Sequence, residues 1–570
     1  MATSVVLVPR SEGVANERGK WERGLAAGLV TVLTFVAVAV HGYHPYAEDG
    51  GVYLPEIKRL LRPELYPHGS EFVAGHLRVS MFAPLIAAVV RWTHVQLDMV
   101  LLVAHLASFW MTLFAVWLLA ARCYGSWRAR LGAVGLMAVW MNLPVAGTSL
   151  MLMDPYLTAR SFSTPLILLA LVGGLDFLQM RNASRERSSS SEQGSLERAG
   201  FEQGEAERGK VERRHAKRRR GVVGLLLCGG AIVSAAAMHP LMAAYGFGAV
   251  LMLACVMSSS KRMRVMGTLG LCGTAIGVAA AVQLAGAPES EAYRMVELTR
   301  SYWFLSQWQW YELLGLVAPL LILATIAARR QGTDRVAAAR VGMARMAVGM
   351  GVTGTIVAML FARTGLATHL VARLQPLRVF QLVYIVMIVV IGAALGDSWR
   401  RRSSILGTAI RWAVTFGVLA GIMFFVDRQT FPASDHLELP RALRDRDPKN
   451  EWEQAFAWIR RNTPEDALFA MDPHYITAPG EDAQEFRAIA ERSALPDYSK
   501  DGGVVSIDPA LTTVWMAGQI AQRDLNTESD RERIAALRPL AVSWIVLDER
   551  ASTELRCDYA NVAVKVCRLF

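Results

Sequence analysis

Apolar residues along this chain gather into long runs rather than alternating, and the runs recur from Gly24 to Val426. Twelve segments stand out, at roughly 24–41, 79–95, 98–121, 131–149, 162–180, 221–238, 241–258, 265–286, 313–329, 342–361, 379–396 and 404–426. A helix needs about 20 mostly apolar residues to cross a bilayer, so residues 24–426 are predicted to be a transmembrane domain of about 11–13 helices. The first run, "LAAGLVTVLTFVAVAV", has no small-residue cleavage site behind it and reads as a retained span. After Val426 the pattern changes. Charged helical stretches alternate with short β-type runs such as "ALFAM" and "SWIVLD", which predicts a soluble α/β domain over residues 427–570. The fold class expected is thus a polytopic α-helical membrane protein with a C-terminal extracytoplasmic α/β domain.

Composition agrees: 53% of the 570 residues are hydrophobic and 19% charged, against about 25% charged in ordinary soluble domains. The formal charge of +11 sits largely in short loops, as membrane topology requires, and does not call for nucleic acid as a partner. Residues 181–220 hold twelve Lys/Arg against seven Glu and end in "KRRR". This composition predicts a disordered cytoplasmic loop. "SSSKRMR" (258–264), "ARRQGTDR" (328–335) and "DSWRRRSS" (397–404) alternate correctly with it. On this count residues 1–23 are a cytoplasmic tail, 42–79 a long outer loop, and the C-terminal domain lies outside. The stretch "VYLPEIKRLLRPELYP" in that loop is expected to form a short helix along the membrane surface. Twelve full crossings would leave both termini on one side. Either the number is odd or a segment between 79 and 161 is re-entrant or broken, and the basic "RCYGSWRAR" (122–130) marks the disagreement. Of six cysteines, Cys123, Cys228, Cys255 and Cys272 fall in or beside apolar runs and read as packing residues. A bridge between Cys557 and Cys567 requires that the C-terminal region face an oxidising compartment.

Five constellations carry candidate chemistry. Glu48 and Asp49, with His41 and His44 nearby, stand where the chain leaves the first span. A carboxylate there can act as a general base, and carboxylate with imidazole can ligate a metal; a polar loop is the alternative. "LMDPYLTARSFSTP" (152–165) places Asp154, Tyr156 and Arg160 between apolar segments, where ionisable groups face a polar cavity if they lie at membrane depth. "ARTGLATHLVARLQPLR" (362–378) offers Arg363, His369, Arg373 and Arg378 on an outer loop, against the positive-inside bias. Guanidinium groups suit a phosphate, or snorkel to headgroups. "SYWFLSQWQWY" (301–311), with Trp308 and Trp310, is an interfacial aromatic belt or a sugar-stacking wall. His239-Pro240 marks a tight turn or a cavity-lining histidine. Asp472 and His474 read as solvated loop residues. The chain has no Walker-type phosphate loop, no HExxH and no GxSxG, so neither ATP hydrolysis nor those hydrolase chemistries is indicated.

The layout of a first span, an acidic motif opening an outer loop, many further spans and an outer C-terminal domain resembles the GT-C superfamily of integral-membrane glycosyltransferases, most nearly its uncharacterised bacterial branch. "YAEDGGVYLP" matches the acidic motif in position, and "DPYLTARSFSTP", "HPLMA", "WIRRNTPEDALF" and "EFRAIAERS" resemble family blocks. Glu-Asp followed by Gly-Gly departs from the Asp-Asp or Asp-x-Asp pair of the better-known members. The resemblance implies transfer of a sugar from a polyprenyl-phosphate donor to a glycan, lipid or protein acceptor on the outer face of a bacterial inner membrane, with a periplasmic C-terminal domain. It implies Asp49, or its neighbour Glu48, as catalytic base. Arg363, Arg373 or Arg378 would hold the donor phosphate, and His369, Arg160, Asp154, His239, Trp308 and Trp310 would join the substrate site. Some members use a divalent cation, Mg or Mn, and others none; His44 is the candidate ligand. The competing expectation is a non-catalytic transport or scaffold component of polysaccharide export.

Overall fold

The structure is a computed structural model that describes residues 11–75, 79–193, 204–329, 334–398, 405–444 and 446–570. Apolar runs fold as helices because a helix satisfies its own backbone hydrogen bonds where water is excluded. In chain order these are α1 (Ser11–His41), α2 (Glu48–Leu61), α3 (Ser70–Val73), α4 (Phe82–Thr93), α5 (Leu97–Cys123) and α6 (Trp127–Val139). A two-stranded hairpin, β1 (Pro144–Val145) and β2 (Leu150–Met151), interrupts the series. Then follow α7 (Ala159–Gln193), α8 (Gly204–Met238), α9 (Pro240–Val256), α10 (Lys261–Ala285), α11 (Glu291–Leu298), α12 (Trp310–Ala327), α13 (Arg335–Phe361), α14 (Leu370–Arg373), α15 (Phe380–Ser398) and α16 (Ile405–Thr430).

Among the described residues, nine stretches are long and apolar enough to cross a membrane, and two shorter apolar helices accompany them. They lie in α1, α5, α7, α8, α10, α12, α13, α14–α15 and α16. The runs at 79–95 and 241–258 give helices of 12 and 17 residues, α4 and α9. The run at 131–149 breaks because α6 ends at Val139 and the chain turns into the hairpin. Between 79 and 161 the chain thus holds a short α4 and an α6 that ends in a hairpin. Residues 181–193 and 204–220 continue α7 and α8, and 194–203 lie outside the described residues, as does the tail at 1–10.

Helix α16 runs on to Thr430, so the change of architecture falls there rather than at residue 427. The remainder holds α17 (Glu451–Asn462), β3 (Leu468–Ala470), α18 (Phe486–Ala490), β4 (Ser493–Ala494), α19 (Lys500–Ile507), α20 (Thr512–Gln522), α21 (Asp530–Leu537), β5 (Trp544–Asp548), β6 (Cys557–Ala560) and β7 (Val564–Arg568). The sheet order is β4-β3-β5-β7-β6, parallel from β4 to β5 and antiparallel beyond. Alternation divides its side chains. Phe469, Trp544, Val546 and Val566 pack on one face with Trp452, Phe456 and Ile459 of α17, while Leu468, Ile545 and Leu547 pack on the other with Leu525 and Leu537. Cys557 and Cys567 face each other across β6 and β7 and form a disulfide.

The two regions meet at the acidic motif. Tyr43 bridges to Leu437 and Ala47 to Gln484, so residues 43–47 run between two strips of the C-terminal region. Helix α2 does not lie free along a surface. Tyr53, Leu54 and Ile57 pack on Phe82, Ile86 and Leu101, with Ala488 in the same cluster, and Lys58 pairs with Glu491 at 2.7 Å.

Candidate active site

The acid pair forms the first turn of α2, where the helix dipole favours negative charge. Gly50 and Gly51 are there for close approach, not for a turn. A Cβ at Gly51 would stand 2.2 Å from Cβ of Glu485, and one at Gly50 would stand 2.8 Å from Cβ of Tyr156. Glu48 holds a left-handed backbone, φ 52°, fixed by its N–H donating to Ala483 O at 2.9 Å. Such conformations cost roughly 1–3 kcal/mol and persist only where the surroundings enforce them. The result is two carboxylates side by side, each more than two-fifths exposed, at 44% and 42%.

Lys500, the first residue of α19, sits on both. Its Nζ donates to Asp49 Oδ1 at 3.1 Å and to Glu48 Oε2. On the far side Arg160 approaches Asp49 Oδ2 at 4.0 Å and donates to Asp154 Oδ2 at 2.7 Å. The sequence candidates Glu48, Asp49, Asp154 and Arg160 thus come together. Burial acts to raise Asp49, but Lys500, Arg160 and Arg378 overrule it and hold its carboxyl well below the usual carboxylate range. Burial acts to lower Lys500, and the two acids more than offset it, so the ammonium is held charged. Asp154 goes the other way: burial raises it despite Arg160, and its Oδ1 has no hydrogen-bond partner.

Glu48, Asp49, Asp154 and Lys500 open onto a cavity of about 640 Å³, together with Tyr302, Gln307, Trp308, Tyr311 and Glu312 and the β1–β2 hairpin. Gly147, in that hairpin at φ 67°, has no room for a side chain because the Trp308 ring would lie 2.3 Å from its Cβ. Trp308 is therefore in the site. Trp310 is 72% exposed, its ring edge against Tyr311, and does not line the cavity.

The basic loop divides. Arg378 lies close enough to Asp49 and to Tyr302 for their charges to interact, and it ends a narrow cleft formed with Thr164, Ile167, Met242, Tyr245 and Leu382. Its Nε is buried without a hydrogen-bond partner, and no carboxylate among the described residues pairs with it. Arg373 is committed elsewhere, 2.7 Å from Glu289 and 2.6 Å from Glu297. His369 is buried beside the same two acids, at 2.7 and 3.1 Å. Neither is placed to hold a phosphate beside Asp49. Arg363 is exposed. His239 accepts from Met242 N as the cap of α9 and is not in the cavity.

The donor set does not fit a divalent cation at the acid pair. An ammonium already bridges Glu48 and Asp49, and a metal there would have to displace it next to Arg160. His44 is not a ligand of that pair. Its Nδ1 lies 3.1 Å from Glu438 and its ring stacks on Phe431 at 4.1 Å, with burial pushing its pKa down to about 4. Glu289, Glu297 and His369 stand close enough together for a metal, but Arg373 occupies both carboxylates. Asp472 caps the His474 backbone at 2.8 Å, and both remain loop residues.

Behind Glu48 lies a second group of acids. Glu481 is fully buried, and burial first, then Glu485 and Glu48, push it well above its usual value. Burial likewise raises Glu485 to about 7 and Glu438 and Glu453 to about 8. Raised carboxyls stabilise the folded chain at low pH, and that contribution is lost as pH rises from about 4.5 towards 8. Glu481→Gln is expected to raise the melting temperature at pH 8 by about 2–4 °C, or ~1 kcal/mol, and by less at pH 5. A thermal scan at both pH values checks this, and a difference independent of pH would contradict it.

A family described as "Domain of unknown function (DUF6798)" matches residues 450–511, a segment that includes Lys500. No curated protein matches the chain. Among solved structures, the chain is similar to the archaeal oligosaccharyltransferase AglB from Archaeoglobus fulgidus in complex with an inhibitory peptide and a dolichol-phosphate. The identity is 11% and the TM-score 0.37, over 93% of this chain and 70% of that one.

Sequence reasoning did not find Lys500, Glu289 or Glu297. Each stands in a stretch that carries no motif, and only the fold brings it to its partners.

Proposed function

We propose that the chain is a membrane glycosyltransferase that moves a sugar from a polyprenyl-phosphate donor to an acceptor hydroxyl, with Asp49 as the base. The observation that carries this reading is one cavity onto which Glu48, Asp49 and the Lys500 ammonium bridging them open beside an aromatic wall, with the Arg378 guanidinium in a separate cleft, near enough for its charge to act on Asp49. The donor phosphate is held by Arg378, whose apolar cleft suits the start of a prenyl chain. The acceptor oxygen attacks the anomeric carbon as the carbon–oxygen bond to phosphate breaks. The proton passes to Asp49 and the product lipid leaves as polyprenyl phosphate, with inversion and no covalent enzyme intermediate.

Asp49 in the resting site is a weak base because three cations hold it ionised. Binding an anionic phosphate to Arg378 cancels one of them and raises the proton affinity of Asp49, so the donor itself prepares the base. We place the site on the outer face of a bacterial inner membrane. The Cys557–Cys567 bridge supports a sheet domain in an oxidising compartment.

Arg378→Gln is expected to lower kcat/KM for the donor by about 10- to 100-fold, as loss of a charge-assisted phosphate contact does. The exposed Arg363→Gln is expected to leave transfer unchanged. Transfer from a labelled polyprenyl-phosphate sugar in proteoliposomes measures both. Equal effects of the two substitutions would remove Arg378 from the donor site.

A further inference from the structure

Helix α11 joins two things the mechanism needs: the loop that carries Arg378 and the helix that presents Lys500. On one side, Glu297 of the helix and Glu289 just ahead of it hold the loop. Glu289 Oε1 accepts from the backbone of His369 at 2.8 Å and from Arg373 at 2.7 Å, while Arg373 Nε meets Glu297 at 2.6 Å. The His369 ring lies between both acids. Four ionisable groups are thus packed together, with Glu297 and His369 fully buried. Removing one partner from such a cluster strands a buried charge.

On its other side, α11 packs on α19. Tyr293 and Val296 share a buried cluster with Val504, Val505 and Trp515. The Tyr293 hydroxyl donates to Ser506 O at 2.8 Å, and Arg300 donates to Tyr498 O at 3.3 Å just ahead of α19. Arg373 also lies over the Tyr293 ring at 5.2 Å, so the two faces of α11 share a side chain.

We propose that Glu289, Glu297, His369 and Arg373 form a positioning strut. Acting through Tyr293 and α19, the strut holds Lys500 on the acid pair at a fixed separation from Arg378. These residues touch no substrate and act through Lys500. The proposal rests on the transferase reading for its consequence but not for its mechanics, and the test separates the two.

The experiment uses the full-length protein in detergent with the variants Tyr293→Phe and Glu297→Gln. Tyr293→Phe removes the one hydroxyl that contacts both Glu297 and Ser506 O and leaves Glu289, Glu297, His369 and Arg373 in place. Hydrogen exchange of amides 500–507 is expected to rise severalfold in both variants, more in Glu297→Gln, while amides 451–462 exchange as in the parent. In the transfer assay of Tyr293→Phe, kcat is expected to fall about 5- to 20-fold with the donor KM within twofold, because Glu289 and Glu297 still hold the loop that carries Arg378. Unchanged exchange at 500–507 in Tyr293→Phe with the parent melting temperature overturns the strut. So does a change confined to donor KM. Faster exchange in a protein whose parent shows no transfer leaves the strut standing and removes the transferase.

Discussion

Asp49→Asn is expected to lower kcat for sugar transfer by about 10³-fold, within the range that loss of a general base produces, while the folded chain survives. The amide keeps the shape of the side chain and still accepts a hydrogen bond from Lys500. It cannot take the acceptor proton. Glu48→Gln is expected to cost far less, about 10-fold, because Glu48 shares Lys500 with Asp49 but is not the group that takes the proton. Asp49 is also the acid on which the charges of Lys500, Arg160 and Arg378 converge. Transfer rates at saturating donor, with melting temperatures alongside, measure this difference. Equal loss in the two variants would mean that the acids act only as a charged pair and not through one base.

The second large effect belongs to Lys500. Removing its charge in Lys500→Met leaves two adjacent carboxylates facing each other, and one of them takes up a proton. Lys500 lowers the pKa of Asp49 in the folded chain. Its loss therefore raises that pKa, and a rate that needs ionised Asp49 then falls as pH is lowered through the new value. The parent is expected to show no acidic limb above pH ~5, whereas Lys500→Met shows one, with kcat/KM about 10²-fold down at pH 6 and partly recovered at pH 8. Lys500→Arg, which keeps the charge, is expected to retain the parent profile at reduced rate. Parallel pH profiles for all three proteins would show that Lys500 is structural only.

The membrane-spanning character was readable because it depends on short-range apolar patterning, which needs no tertiary partner. Among the described residues, nine stretches meet the length that the runs demanded, with α4 and α9 apolar but shorter. The break in the run at 131–149 had a local cause. Hydrophobicity alone does not reveal that the run at 131–149 contains Asn142, Pro144 and the left-handed Gly147, which end a helix and turn a hairpin. The acid pair, Asp154, Arg160 and Trp308 were legible for a similar reason: each is conspicuous in an apolar neighbourhood. The basic loop was legible as a loop but not as an arrangement. Arg378 and Arg373 are five residues apart, yet one faces the acid pair and the other is bound by Glu289 and Glu297, which come from a separate stretch of chain. Lys500 lies 451 positions from Asp49, and no local spacing marks it. Contacts over that distance are set by how the C-terminal sheet docks on residues 43–47.

Release of free polyprenyl phosphate from a polyprenyl-phosphate sugar, by purified protein in proteoliposomes, tests the central claim most directly. It reads the breaking bond whatever the acceptor is. The parent chain is expected to release the lipid phosphate in step with loss of the sugar, and Asp49→Asn and Arg378→Gln to do so only slowly. Equal release by all three, or none from the parent across hexosyl and pentosyl donors with acceptor glycan present, would contradict a transferase built on Asp49.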